Sequence, residues 1–150
     1  MFAGRASARA FTLVEILIVV IILGILAAII IPQFANASSD ARTTNLKTTL
    51  NNVRNQIEIF KAQHNEQAPA LSGMWTLMVG QSDTNEANSN APSGTHWGPY
   101  LQAPAINPMN MKTGVTSVAS DPDAGWYYQP AGLGFTFHPR NPDGSVNTSY

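Results

Sequence analysis

The chain contains no cysteine among its 150 residues. That excludes disulfides, thiolate metal sites and cysteine nucleophiles, and it leaves the redox compartment open. Charge is scarce as well. Lys, Arg, Asp and Glu make up 11% of the residues, and eight bases against nine acids give a net charge of −1. Residues 81–150 hold only Lys112 and Arg140 against Asp83, Glu86, Asp121, Asp123 and Asp143. With no basic patch to neutralise phosphates, nucleic acid is a poor partner. Enzyme signatures are missing too: there is no Gly-x-Ser-x-Gly, P-loop, dinucleotide fingerprint or His-Glu-x-x-His. Asp121 and Asp123 are two carboxylates one residue apart, but Asp-Pro-Asp-Ala-Gly is an ordinary turn sequence. The chain therefore reads as a non-enzyme. Nor is there a second long apolar run, which excludes a multi-span membrane protein.

One such run dominates what is present. Phe11 to Ile31 holds 18 apolar residues out of 21, the exceptions being Thr12, Glu15 and Gly24, whereas residues 32–150 hold 42 out of 119. At about 1.5 Å per residue this helix would span about 31 Å, close to the roughly 30 Å of a bilayer core. A secretory signal would end its apolar region after about 7–15 residues and offer a cleavage site beyond it. Here the run passes into a second helical pattern, so a membrane helix is expected. Arg5 and Arg9 precede it with no acid nearby. They place that end in the cytoplasm and residues 33–150 on the other side.

Glu15 is out of place in such a helix, where a carboxylate costs roughly 2.5–3.5 kcal/mol on insertion scales. It either snorkels or is protonated near the interface, or it has a cationic partner. A cut between Ala10 and Phe11 would create an amino group four residues before Glu15, at a helix N-terminus whose dipole favours a carboxylate. Gly24 and Ala28 form a small-xxx-small pair that lets helices approach closely, although membrane helices carry such glycines routinely. Pro32 lacks an N–H and frees the carbonyl of Ala28, so a kink or local unwinding is expected.

Further along, Leu46, Leu50, Val53, Ile57, Phe60 and His64 recur at spacings of 4, 3, 4, 3 and 4, one face of a helix. Lys47, Asn51, Arg54, Asn55, Glu58 and Lys61 occupy the other face, where Glu58 can reach Arg54 and Lys61. Asn36–Asp40 is weak helix and allows a bend. Asn65-Glu66-Gln67 and Pro69 end the helix, which should run over about 11–66. His64 reads as a helix-end histidine, because neither His96 nor His138 stands at a metal-ligand spacing from it. Met74–Val79 reads as one or two turns of helix packed on the long one, and Gln81–Thr95 as a polar loop. Strands are expected at Val115–Ala119, Trp126–Gln129 and Phe135–His138, with turns at 121–125 and 130–134. Trp126 and Tyr128 share one face, Phe135 and Phe137 another, and all four are read as sheet core against the helix.

The head of the apolar run, Phe11-Thr12-Leu13-Val14-Glu15, with Pro32 at its end, resembles the start of type IV pilins and of the pseudopilins of type II secretion systems. Trp97-Gly98-Pro99-Tyr100-Leu101 and Asn107-Pro108 further resemble the major pseudopilin, where similar segments lead into a small antiparallel sheet. The resemblance implies an α+β pilin-like fold: leader 1–10, transmembrane and assembly helix 11–32, its amphipathic continuation 33–66, and a globular region 67–150 with a small antiparallel sheet. It implies that a prepilin peptidase cuts at Ala10/Phe11 and methylates the Phe11 amine, with Ala10 standing where the family nearly always has Gly. Glu15 would be the carboxylate that pairs with the amine of a neighbouring subunit, and helices over Gly24–Pro32 would loosen in a filament. Major pseudopilins bind calcium near the sheet, and Asp121, Asp123 and Asp143 are the acids that could serve here. The implied partners are further copies of the chain, the peptidase, an inner-membrane assembly platform with its ATPase, and minor pseudopilins. The implied place is the bacterial inner membrane, single-pass, with the globular region periplasmic until the subunit is extracted into a filament. True pilins often carry a C-terminal disulfide, so the missing cysteine favours the secretion pseudopilus over a pilus for adhesion, motility or DNA uptake. A single-pass anchor displaying a binding or hydrolytic domain is the remaining alternative. It explains the apolar run but neither Glu15 nor the Phe11 junction.

Overall fold

A computed structural model of the chain describes residues 11–83 and 96–150. The leader with Ala10, and most of the Gln81–Thr95 loop, lie outside the described residues. The first helix, α1, runs from Leu13 to Gln63. Its residues fall into two units, one ending at Asp40 and the other spanning Ala41–Tyr150.

In the first unit the helix begins at Leu13, just after Thr12, and continues without a break through Pro32 and through Asn36–Asp40. The helix shows no break at Pro32, where a kink or local unwinding is expected. Pro32 forfeits one hydrogen bond, that to Ala28, while the turns on either side keep theirs. The loosening implied for a filament concerns assembled helices. Among the described residues nothing covers the apolar side chains here: from Phe11 to Ile31 the large ones are 46–82% exposed. Among the described residues, α1 is the one helix long and apolar enough to cross a membrane.

The second unit is built on the apolar stripe of α1. Leu46, Leu50, Val53, Ile57, Phe60 and His64 are all buried, as the helical spacing requires. The helix ends at Gln63 rather than 66 because Asn65 and Glu66 turn left-handed, at φ 53° and 65°. The Glu66 N–H then reaches back to the Lys61 carbonyl at 2.9 Å, satisfying an end-of-helix acceptor. A 3-10 turn, Leu71–Gly73, leads into α2, Met74–Val79, which inserts Met74, Leu77 and Met78 into the same core.

The strands differ from expectation in three ways. Ser82–Asp83 (β1) pairs antiparallel with His96–Trp97 (β2), so the polar stretch begins and ends in a short ladder. The main sheet is mixed, not antiparallel: Val115–Thr116 (β3) runs parallel to Trp126–Ala131 (β4), which pairs antiparallel with Gly134–Pro139 (β5). The third difference concerns the aromatics. Tyr128 lies opposite Phe137 and Pro130 opposite Phe135, so Trp126, Tyr128, Phe135 and Phe137 share one sheet face instead of two. That face packs on the α1 stripe, with Trp126 stacked on Phe137 at 5.0 Å and Tyr128 edge-on to Phe137 at 6.2 Å. The buried polar tips are satisfied. Trp126 Nε1 donates to the Ala105 carbonyl at 2.9 Å, and the Tyr128 hydroxyl to that of Pro69 at 2.6 Å. Asn107, fully buried, donates to the carbonyls of Gly125 and Arg140 and accepts from the Met109 N–H, joining the Asn107-Pro108 turn to the sheet.

Candidate assembly site

Glu15 sits in the first turn of α1. Thr12 caps that turn: its Oγ1 accepts the Glu15 N–H at 3.2 Å, and its carbonyl accepts the Ile16 N–H at 3.3 Å. Thr-x-x-Glu is the spacing of a capping box, so the sequence itself carried this signal beside the recognised carboxylate. The cap fixes where the helix starts, and hence where Glu15 stands relative to Phe11. Phe11 is 75% exposed just outside the helix. Among the described residues no basic side chain pairs with Glu15, whose charge therefore meets only the helix dipole. The site thus consists of an uncovered apolar helix, a capped start and a carboxylate without a cation of its own. Ala10 lies outside the described residues. Gly24 leaves open space where a side chain would stand, in keeping with a surface for a close helix neighbour.

The remaining candidates lie in the second unit and do not join this site. Among the described residues no three His, Asp or Glu side chains, Asp121, Asp123 and Asp143 included, are gathered as a group that could hold a metal ion. Arg54 does not pair with Glu58. Its Nε and Nη2 both donate to the Phe137 carbonyl, at 3.0 and 2.7 Å, and Nη2 also donates to the Tyr150 carbonyl at 3.1 Å. Glu58 pairs with Lys61 alone, at 2.9 Å. These arginine contacts had no signal in the spacing, which placed Arg54 on the solvent face.

His64 is a fully buried structural histidine. Its ring stacks on Phe60 at 3.8 Å. Nδ1 donates to the Phe60 carbonyl at 2.8 Å, which leaves Nε2 to accept the Ser82 hydroxyl at 2.8 Å in the neutral ring. Burial lowers its pKa, against the opposing pull of the Phe60 carbonyl and Asp83. His138 is lowered by burial and by Arg54, against the Tyr150 carbonyl. A histidine whose folded pKa lies below its unfolded value of 6.5 binds more protons when unfolded. Its stabilising contribution is present above pH 6.5 and is lost as pH falls through and below it. The unfolding free energy of the second unit should therefore drop between pH 7.5 and 5, by at most about 1.4 kcal/mol per pH unit for each histidine, and the melting temperature with it. His64→Gln should flatten that slope in thermal scans across the range. An equally steep slope in the variant would assign the loss to other groups.

The relatives of the chain agree with the geometry at its N-terminus. Residues 5–31 match the prokaryotic N-terminal methylation motif. The chain is 39% identical to the type IV narrow pilus major component PilA5 of Thermus thermophilus over 99 residues, 59% of this chain and 85% of that protein. It is 31% identical to the type II secretion system core protein G of Pseudomonas aeruginosa over 74 residues, 49% of this chain and about half (52%) of the length of that relative. With the type IV major fimbrial protein FimA of Dichelobacter nodosus it shares 29% identity over 141 residues, 81% of this chain and 87% of that protein. No solved structure matches it. The chain belongs to the type IV pilin-like superfamily. It is similar both to type IV pilins and to the core protein G of type II secretion, and its long apolar N-terminal helix fits a membrane-anchored pilin-like protein.

Proposed function

We propose that the chain is a structural filament subunit, made with a leader, cut at Ala10/Phe11, methylated on Phe11 and assembled through Phe11–Ile31. One observation carries this reading: a long apolar helix that none of the described residues covers, headed by a capped turn whose carboxylate has no cationic partner among them. A lone membrane anchor needs the apolar surface but has no use for Glu15 at that place. The subunit stays in the inner membrane, its N-terminus on the cytoplasmic side and the second unit periplasmic, until an assembly platform and its ATPase extract it. The reading requires no catalytic group.

Of the two filament types, the type II secretion pseudopilus is proposed first, with minor pseudopilins as further partners. It is supported by the absence of cysteine and by the Trp97–Leu101 and Asn107-Pro108 segments. The type IV pilus is the second reading, favoured by the extent of the likeness to PilA5.

Processing gives the direct test. In cells with an active prepilin peptidase, the mature protein should begin at Phe11 and weigh one methyl group more than residues 11–150. Intact mass and N-terminal sequencing decide it, and a chain still starting at Met1 would remove the proposal. Deleting the gene separates the filament types. Loss of protein secretion with normal surface pili supports the pseudopilus, and loss of pili with normal secretion supports the pilus.

A further inference from the structure

Arg140 follows β5 and is completely buried. Its guanidinium is surrounded by backbone carbonyls. Nη2 donates to Val118, and Nη1 donates to Gly144 and, at 3.3 Å, to Ala119. The charge of Asp121 favours the guanidinium, and the Tyr127 ring centre lies 5.9 Å from Cζ. Nε, by contrast, is buried without a partner. Burial lowers the pKa from its ordinary value, yet arginine remains protonated at any physiological pH. A full positive charge thus sits inside a set of carbonyl oxygens contributed by two loop segments, with a carboxylate nearby. This is the donor set that a hard divalent cation would seek.

The two segments meet here. Ser120 bridges to Ser145, Arg140 to Val146, and the Asp121 N–H approaches the Gly144 carbonyl at 3.4 Å. Gly144 has φ +83°, and a Cβ there would lie 2.8 Å from Pro122 Cα. A residue without a side chain is thus what lets its carbonyl reach the guanidinium while the two loops touch.

The acids that the family resemblance offers to calcium are engaged elsewhere. Asp121 Oδ1 accepts the Asp123 N–H at 3.0 Å. Asp143 Oδ1 accepts the Ser145 hydroxyl at 2.7 Å and N–H at 2.9 Å, which hold its carboxyl below the usual range. Lys112 lies 3.6 Å from Asp123 and donates to the Pro122 carbonyl. A calcium ion at the carbonyl cluster would stand against the guanidinium, like charge on like charge. The residues present do not fit the metal.

We propose that the Arg140 guanidinium takes the place of a bound divalent cation, holding residues 118–121 onto 141–146, so that the folded unit neither needs nor binds calcium there. The idea does not depend on which filament, if any, the chain builds.

The test is thermal unfolding of the full-length protein in detergent micelles, followed by near-UV circular dichroism, in chelator and in millimolar calcium. The melting temperature of the unaltered protein should move by less than about 1 °C. Arg140→Ala should melt at least about 10 °C lower in chelator, because it strands three carbonyls and Asp121. Calcium should restore part of that loss by entering the vacated cluster. Arg140→Lys keeps the charge without the fork and should melt between the two. If the Ala variant does not fold, the unaltered protein and Arg140→Lys decide the matter. A rise of several degrees with calcium in the unaltered protein would overturn the proposal. So would an Arg140→Lys variant no more stable than a folded Arg140→Ala, or a folded Arg140→Ala that calcium leaves unmoved.

Discussion

Filament yield should fall to background when Glu15 is replaced by Val, even though the variant enters the membrane more easily. Removing the carboxylate removes roughly 2.5–3.5 kcal/mol of insertion cost. It leaves the start of the helix intact, because the Thr12 cap receives the backbone N–H of residue 15 and not its side chain. Any loss of assembly therefore falls on the charge itself. In a filament the Phe11 amine of a neighbour would be buried without its counter-charge. Breaking such a pair costs about 3 kcal/mol or more, roughly a hundredfold in the equilibrium for each added subunit. Glu15→Gln keeps size and hydrogen bonding but not charge, and it should fail in the same way. Both variants should still be inserted and cleaved. The measurements are immunoblots of processed protein in membranes and filament counts by electron microscopy of sheared fractions. Filaments of normal number and length from Glu15→Val would make the carboxylate a tolerated interfacial residue.

The parts of this molecule that were legible in its sequence are those set by local periodicity. The run Phe11–Ile31 declares an uncovered helix, and the stripe from Leu46 to His64 declares a buried face, because 3.6 residues per turn fix both without reference to any other element. Strand alternation says less. It shows that Trp126 and Tyr128 share a face, but not that Phe135 and Phe137 join it. That depends on register, and register depends on the β4–β5 turn. The turn is tighter than 130–134 suggested: Pro130 stays in the strand opposite Phe135, and Ala131 meets Gly134. The parallel pairing of β3 with β4 is likewise something alternation cannot signal.

The two arginines were illegible for another reason. A charge on a polar helix face, or after a strand, normally points to water. Arg54 and Arg140 instead bury their stems and find backbone carbonyls, of Phe137 and Tyr150 in one case and of Val118, Ala119 and Gly144 in the other. Those carbonyls come together only once the loops are folded, so no spacing in the sequence announces them.

Two glycines should respond in opposite ways to the same substitution, and the contrast separates folding from assembly. Gly125 is wedged between loop and sheet: a Cβ there would lie 2.1 Å from the Lys112 carbonyl oxygen and 2.7 Å from its carbon. The backbone cannot yield easily. The Gly125 N–H donates to Gly114 at 2.8 Å, and its carbonyl accepts from the Arg140 N–H at 3.0 Å and from Asn107 Nδ2 at 2.7 Å. Relief of the clash means breaking several of these bonds at about 0.5–1.5 kcal/mol each, on top of about 1–3 kcal/mol of overpacking. Gly125→Ala should therefore cost about 3 kcal/mol or more and lower the melting temperature by more than about 10 °C. At Gly24 a Cβ meets nothing within 4 Å, and alanine favours a helix interior by about 0.8–1 kcal/mol over glycine. Gly24→Ala should leave the melting of Ala41–Tyr150 unchanged and show its effect only in assembled helices, as fewer or more easily sheared filaments. Thermal scans in detergent and shear assays read the two separately. A Gly125→Ala protein that melts normally would mean that the loop carrying Lys112 can move aside. A Gly24→Ala protein with unaltered filaments would mean that no neighbouring helix uses the gap at this residue.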